Sequence, residues 1–214
     1  MKNITNRQKI IIGILALLLM IAAMVFILHT QEQKPDPASE RIIRELAERE
    51  LSSITKIRKD PNSLTDEDFA QIIRFYIVNT ELCDIKLLEK FKNLQRLHLD
   101  NIHYPANKIP KWMSLLAKLG LFNLEERFAF DLSPLEKLAN LQILYIWNTD
   151  VSDIKPLANC TNLRNLNFSG TNVSYIKPLA NMKNLRGLSL TNMQVSDEQV
   201  AELKKALPNV SISR

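Results

Sequence analysis

Glycine, cysteine and histidine are scarce in this chain, and their scarcity limits the chemistry that it can support. Only four glycines occur among 214 residues, and none lies in a glycine-rich loop of the kind that holds phosphate groups. Three histidines are too few to favour a catalytic zinc site, which usually needs three protein ligands. Neither the serines nor the two cysteines stand in a recognisable nucleophile motif. We therefore expect no cofactor, no resident metal ion and no enzymatic activity.

A strong charge of one sign is also missing. The net charge is +5, and Lys2, Arg7 and Lys9 supply three of these charges within the first nine residues, which leaves +2 for the rest of the chain. So small an excess creates no field that would recruit nucleic acid. With 46% hydrophobic and 24% charged residues, the composition is that of an ordinary globular protein. Nucleic acid is thus excluded as a predicted partner.

What the sequence does contain is a 22-residue repeat. Units that begin at Leu141, Leu163 and Leu185 carry apolar residues at positions 1, 4 and 6, counted from the first residue of each unit. A fixed period of this length predicts a solenoid, in which each unit buries its apolar face against its neighbours. The same pattern extends to units near residues 72, 94 and 119 and to a terminal strand at 207–212. We predict six full units and a seventh strand within residues 72–214.

The repeat resembles the leucine-rich repeat, whose strand segment reads L-x-x-L-x-L-x-x-N/C-x-L. The unit length and the K-P-L-A-N motif within Asp153–Asn159 and Tyr175–Asn181 are similar to the bacterial internalin-like class. This resemblance implies an α/β solenoid with a parallel β-sheet on its concave face and short helical or irregular convex segments. Position 9, where the family has Asn or Cys, holds other residues here, so we expect looser turns at Ile102 and Met193.

An unbroken apolar run covers Ile10 to Leu28. As a helix it would be about 28 Å long, which matches the hydrocarbon core of a bilayer. The alternatives are a buried core helix and a cleaved signal peptide. A solenoid of short strands has no place for a helix that is apolar all round, and the run exceeds a signal h-region and lacks a small-x-small cleavage site. We predict an uncleaved signal-anchor helix at residues 10–29.

The flanking charges predict the orientation of this anchor. Basic residues precede the run, so residues 1–9 are expected in the cytoplasm and the solenoid on the far side of the membrane. Residues 30–36 form a polar stalk. Asp36 and Pro37 are typical of a helix start, and residues 37–71 are predicted to form a helical cap over the first repeat. A membrane-surface helix and a dimerisation helix are the alternatives for this segment.

The sequence also predicts two further helix starts and the degree of burial of the two cysteines. Capping-box patterns begin at Thr65 and Ser196. Cys160 occupies a core position, whereas Cys83 is expected to be exposed. The two lie too far apart in the repeat to form a disulfide.

The predicted binding site lies on the sheet face, which we define as the side chains at positions 3, 5 and 7 of each unit. Because strand side chains alternate, these positions point away from the core. The middle of the sheet face is apolar and aromatic, and Tyr and Trp dominate binding hot spots. The predicted ligand-binding residues are His98, Asp100, Leu121, Asn123, Glu125, Ile143, Tyr145 and Trp147.

These features predict a non-catalytic, membrane-anchored module that binds a protein, peptide or glycan through its concave face. One alternative is a scaffold of the cell envelope that self-associates into a homo-oligomer, through its helix at 37–58 or its last strand at 210–212. A cytoplasm-facing adaptor is another, if the orientation is reversed. His98, Asp100 and Glu125 would also permit a weak metal or acid–base cluster, which the shortage of further ligands disfavours.

Overall fold

The computed structural model describes residues 36–55, 57–105 and 130–214, together with residues 109, 113, 117 and 118. The predicted cytoplasmic segment and anchor helix, and the stalk before Asp36, lie outside the described residues. Within the described ranges, no helix has the length and apolar character needed to cross a membrane. The anchor at residues 10–29 therefore stays a prediction.

The described part is organised around a parallel β-sheet whose strands follow one another in chain order. From β1 to β5 each strand pairs with the next at equivalent repeat positions, as in the series Leu144, Leu166 and Leu188. Strand β6 places Ile212 opposite Leu188, two positions away from the register predicted for a unit that begins at residue 207. This arrangement confirms the predicted α/β solenoid with a parallel sheet. The strands are β1 (Arg74–Glu81), β2 (Arg96–His103), β3 (Ile143–Tyr145), β4 (Asn165–Asn167), β5 (Gly187–Ser189) and β6 (Ser211–Ser213).

Burial follows the predicted alternation along the strands. Leu97, Leu144, Leu166 and Leu188, at position 4, are all 2% exposed or less, whereas their neighbours at positions 3 and 5 are only partly buried. The core is a continuous stack of such residues from the first unit to the last. Because each unit stacks its apolar positions on the next, the sheet face is left free of any role in filling the interior.

Short 3-10 turns return the chain to the start of each strand. They cover Lys86–Lys90, Ser133–Lys137, Lys155–Asn159 and Lys177–Asn181. The last three carry proline in the first turn, where a fixed φ suits the helical start and the missing N–H is not needed. Each turn buries a leucine against the core, such as Leu157.

The strand segment of the predicted unit near residue 119 lies outside the described residues. Strand β2 pairs directly with β3, with Arg96 opposite Ile143 and His98 opposite Tyr145. Within the described sheet the unit at 94 is thus followed by the unit at 141, and the strand at 119–124 stays a prediction.

A helix packs against the first unit within the predicted N-terminal cap. Helix α1 (Pro37–Thr55) begins at Asp36, whose Oδ2 accepts hydrogen bonds from the backbone N–H and the hydroxyl of Ser39 at 2.8 and 2.9 Å. Its buried residues include Ile43, Ala47 and Leu51. Two isoleucines that the sequence placed on the same apolar face, at 54 and 57, are instead exposed.

A second helix, α2 (Asp66–Ala70), carries the predicted capping box. The Thr65 hydroxyl accepts from the Asp68 backbone N–H, and the Asp68 carboxylate accepts from the Thr65 N–H. Lys59 Nζ lies 2.6 Å from Asp68 Oδ1, and its hydrogen bond to the carboxylate lowers the pKa of Asp68. The buried carboxylate of Asp68 therefore has both a cationic partner and hydrogen-bond donors.

Helix α3 (Asp197–Ala206) closes the other end. Ser196 accepts from the Gln199 N–H at 3.3 Å, but the Gln199 side chain does not return to Ser196 as a complete capping box would. Its amide instead donates to Ser174 O and accepts from the Ile176 N–H. Gln199 thus ties the terminal helix to the preceding unit.

The cysteines are not joined to each other. Cys160 is buried as predicted, and burial raises the pKa of its thiol to about 11. Cys83 is half-buried rather than exposed, because its backbone N–H donates to Ser39 Oγ of α1 at 2.9 Å. Contact with the cap accounts for the difference.

Two asparagine ladders hold neighbouring units together. At position 8, Asn79, Asn101 and Asn148 adopt left-handed backbone angles with φ of 52–53°. Their amides connect in series, from Asn148 to Asn101 at 2.5 Å and from Asn101 to Asn79 at 2.7 Å. At position 22, each side-chain amide donates to a backbone carbonyl of the preceding turn of the chain in the described structure. The acceptors are Ala70 of α2 for Asn93, Lys92 for Asn140, Ala139 for Asn162 and Thr161 for Asn184.

The first ladder corrects the expectation about position 9. Ile102 is fully buried inside β2, so the looser turn expected there is wrong. Met193 is partly buried and packs against the core. Asparagine tolerates the left-handed conformation better than most residues. This explains why asparagine recurs at position 8, one residue before the position that the family pattern reserves for Asn or Cys.

Candidate binding surface

Three rings stack across the first three strands of the sheet face. Tyr76 of β1, His98 of β2 and Tyr145 of β3 all occupy position 5 and pair in register. The ring centroids of each adjacent pair are 4.6 Å apart, close to the spacing between neighbouring strands, and the ring planes are tilted by 48° and 56° to each other. The stack exists only because β2 and β3 pair directly. We call Tyr76, His98, Asp100, Tyr145 and Trp147 the aromatic patch.

Asp100 and Trp147 occupy position 7, one step further along the strands. The Asn101 backbone N–H donates to Trp147 O at 3.1 Å, which brings the two residues side by side. Trp147 is 42% exposed, whereas Asp100 is only 7% exposed. Asp100 Oδ2 lies 3.6 Å from His98 Nδ1, and Oδ1 has no hydrogen-bond partner in the described structure.

Burial sets the electrostatics of this pair. It raises the pKa of Asp100, while Trp147 and His98 act in the opposite direction. Burial also lowers the pKa of His98, against the attraction of Asp100. The imidazole is consequently neutral at neutral pH, so it does not supply a full positive charge to the neighbouring carboxylate.

The rest of the sheet face is different in character. In β4 and β5 and the residues that follow them, it consists of small polar side chains, which bond to one another. Ser169 Oγ lies 2.9 Å from Ser189 Oγ, and Ser213 Oγ donates to Ser189 Oγ at 3.1 Å. Asn167 Oδ1 accepts from the Ser169 backbone N–H at 2.8 Å. These groups already satisfy part of their own hydrogen-bonding demand.

The structure brings together four of the eight predicted binding residues. His98, Asp100, Tyr145 and Trp147 are neighbours, and Ile143 lies at position 3 of the same strand as Tyr145. The remaining three predicted residues, Leu121, Asn123 and Glu125, lie outside the described part. Sequence reasoning missed Tyr76, although its signal was present: it holds position 5 of the first unit, as His98 and Tyr145 do in theirs.

Two members of the possible metal or acid–base cluster lie in the described part of the chain. Of its three members, Glu125 lies outside the described residues, and His98 and Asp100 form a pair. No group of three or more His, Cys, Asp or Glu side chains in the described ranges is arranged to hold a metal ion.

Comparison with known families agrees with the repeat pattern. Residues 139–181 match the family model described as Leucine Rich repeats in two copies. Within residues 139–181 this match agrees with the parallel sheet, in which β3 and β4 pair at equivalent repeat positions. Among curated proteins, none matches the sequence.

Several solved structures are similar to the chain. Internalin C2 of Listeria monocytogenes shares 23% identity over 81% of this chain and 85% of its own, with a TM-score of 0.40. Internalin InlF of the same organism shares 21% identity over 84% and 58%, also with a TM-score of 0.40. A leucine-rich repeat protein of Leptospira interrogans shares 18% identity over 69% and 38%, with a TM-score of 0.45. These similarities carry no functional information about this chain.

Proposed function

We propose that this protein is a non-catalytic binding module whose aromatic patch receives a protein or peptide partner. The observation that carries the proposal is the ring stack of Tyr76, His98 and Tyr145 with the exposed Trp147 beside it. The fold does not need these rings, because positions 4 and 6 fill the interior. Tyr and Trp dominate binding hot spots, and leucine-rich repeats are typical of protein-binding modules.

The test is selection of peptides from a random displayed library on the purified full-length chain. The Tyr145→Ala/Trp147→Ala double variant removes two patch rings. Its matched control is Asn167→Ala/Ser169→Ala, which changes positions 5 and 7 of the next unit. We expect selected peptides to bind the patch variant more than about tenfold more weakly and the control as well as the native chain. Peptides that bind both variants equally, or none that depend on the patch, would contradict the proposal.

A glycan array on the same proteins distinguishes the class of partner. Stacking on sugar rings would also use Tyr145 and Trp147. Saturable glycan binding that is lost in the patch variant, with no patch-dependent peptide, would replace the protein partner by a carbohydrate.

The proposed location is the cell membrane, with residues 10–29 as the anchor, the N-terminus in the cytoplasm and the repeats on the other side. It is supported by the apolar run and by the basic residues Lys2, Arg7 and Lys9 before it. Protease added to intact cells, after any outer membrane has been permeabilised, should digest the repeats. Protection until the inner membrane is broken would reverse the orientation and favour a cytoplasmic adaptor.

Self-association is the second candidate function, and one observation favours it. Strand β6 ends the described sheet, so its outer edge is available to pair with another copy. The cap helix offers less support, since Ile43, Ala47 and Leu51 are buried under its own solenoid. Sedimentation of the full-length chain in detergent decides: a mass that rises with concentration favours self-association, whereas a constant monomer mass contradicts it.

A further inference from the structure

Building on the proposed function, we propose that Asp100 receives a basic side chain of the partner, with the Trp147 indole as the surface against which the cation lies. The partner residue would be arginine or lysine. The inference begins with a carboxylate oxygen that is buried on the sheet face, next to exposed aromatic rings, without a hydrogen bond.

Asp100 is unusual among the buried acids of the described structure. Asp68 is similarly buried, yet it accepts hydrogen bonds from Lys59 Nζ at 2.6 Å and from the Thr65 N–H at 3.0 Å. Glu48 also has an unbonded oxygen, but Arg58 Nε lies 3.9 Å from it. Asp100 hydrogen-bonds to Trp147 and lies next to a histidine that is neutral at neutral pH, but it has no cationic partner and its Oδ1 has no hydrogen bond in the described structure. A buried carboxylate without a cationic partner is costly, and a cation from outside would relieve that cost.

The side chains around Asp100 suit a cation. Trp147 lies beside the carboxylate, to which its side chain hydrogen-bonds, and it is 42% exposed. Aromatic faces attract ammonium and guanidinium groups, and indole does so best. A guanidinium can stack on a ring while it donates two hydrogen bonds to a carboxylate. The combination of one desolvated acid and an exposed indole therefore matches an arginine most closely.

The charges on the sheet face are consistent with this assignment. Asp100 is the one carboxylate among the described sheet-face residues. The nearest cations on that face are Arg74 and Arg96, at position 3. Arg96 lies four residues from Asp100 along β2, about 13 Å at about 3.3 Å per residue, which exceeds the screening length of about 8 Å at physiological salt. Neither arginine forms an ion pair with Asp100 within the described structure.

A small probe tests the inference directly. In the full-length chain with Trp112→Phe, Trp147 is the only tryptophan and its fluorescence reports on the patch. The chain is titrated with Nα-acetyl-arginine amide and with Nα-acetyl-citrulline amide, which has nearly the same shape but no charge. We expect saturable quenching by the arginine compound and binding of the citrulline compound more than about tenfold weaker.

Matched variants assign the effect to one carboxylate. Asp100→Asn should weaken arginine binding more than about tenfold, whereas Asp153→Asn, which removes the same charge from an exposed convex turn, should leave it unchanged. Equal binding of the two compounds to the native chain would overturn the inference, as would native-like arginine binding by Asp100→Asn. If thermal melting shows that Asp100→Asn is unfolded, two other results decide. They are the preference of the native chain for the arginine compound over the citrulline compound, and the retention of that preference in Asp100→Glu.

The selected peptides separate this inference from the proposed function. Peptides that require Tyr145 and Trp147 but contain no basic residue would leave the proposed function standing and overturn the role of Asp100. Charge-specific binding of the arginine compound, without any peptide that depends on the patch, would support the cation site and contradict the peptide-binding function.

Discussion

The first three strands of the sheet and the last three share one core but present different surfaces. Position 4 is a buried leucine or phenylalanine in β1 to β5, whether the unit lies at the beginning or at the end. Position 5, one residue later, is Tyr76, His98 or Tyr145 in the first half and Asn167 or Ser189 in the second. The core positions are constrained by stacking between units, whereas the sheet face is free to vary. Variation on that face therefore carries the information about partners.

Hydrogen bonding separates the two halves in the same way. The hydroxyls of Ser169, Ser189 and Ser213 bond to one another. Asp100, by contrast, keeps an oxygen without a partner and lies next to exposed aromatic surface. A surface that satisfies its own polar groups gains less from a ligand than one that does not. The difference is why we place the partner at the aromatic patch.

The largest expected effect tests whether the two halves do share one core. Leu97→Ala in β2 and Leu188→Ala in β5 should each lower the free energy of unfolding by about 3 kcal/mol, because both leave a cavity at a fully packed position. Denaturant unfolding monitored by circular dichroism measures both. A loss confined to one variant would show that the halves are packed differently and would break the comparison.

A smaller effect is expected where the position 8 ladder is interrupted. Gly170 has φ of 68°, so Gly170→Ala should cost about 1 kcal/mol for a left-handed alanine. An added Cβ there would lie 3.5 Å from the Asn148 N, an ordinary contact, so crowding is not the cause. Gly170→Asn should be tolerated better, because asparagine accepts this conformation and extends the ladder from Asn148. Equal losses in the two variants, measured by thermal unfolding, would contradict this account of the ladder.

The pH dependence of stability sharpens the contrast at Asp100. Its folded pKa is raised, so between 3.8 and that value the folded state binds more protons than the unfolded state, and stability rises as pH falls. For His98, whose folded pKa is lowered, the unfolded state binds more protons below 6.5, and stability falls as pH drops through that range. We expect the difference in unfolding free energy between the native chain and Asp100→Asn to grow in favour of the native chain on acidification towards 3.8.

The variant His98→Gln tests the lowered pKa of His98. As the pH drops from 7 to the folded pKa of His98, the free energy of unfolding should fall less for this variant than for the native chain. Urea unfolding at a series of pH values measures both differences. A difference that does not change with pH for either variant would contradict the burial of the pair.

The smallest effect is expected in the polar half of the sheet face. Ser189→Ala removes one hydroxyl from a partly solvated network, so it should cost less than about 1 kcal/mol and leave peptide binding unchanged. A matched change at the other half, Tyr76→Ala, should weaken binding while the core stays intact. Equal effects of the two variants on peptide affinity would remove the distinction between the halves.

Much of the fold followed from the spacing of apolar residues. Positions 4 and 6 are buried and positions 3 and 5 point outwards because alternation in a strand leaves no other choice, as Leu144 and Tyr145 show. The cap at Asp36 and the box at Thr65 were readable from local chemistry. These features depend on neighbours close in sequence or on a repeated period.

The candidate site could be predicted only in part, because it depends on which strands pair. The repeat spacing contains no signal that β2 pairs directly with β3 in the described sheet. Direct pairing of β2 with β3 joins His98 to Tyr145 and completes the stack. The unbonded oxygen of Asp100 is likewise a property of packing, which no pattern of residues displays.

Two positions in register test the central claim most directly. Tyr145 and Asn167 lie opposite each other in β3 and β4, at the boundary between the two halves of the sheet face. The measurement is the affinity of one selected peptide for the native chain, Tyr145→Ala and Asn167→Ala, by isothermal titration calorimetry. We predict a loss of more than about tenfold for Tyr145→Ala and no change for Asn167→Ala. A loss at Asn167 with native affinity at Tyr145 would place the partner on the polar half and contradict the account.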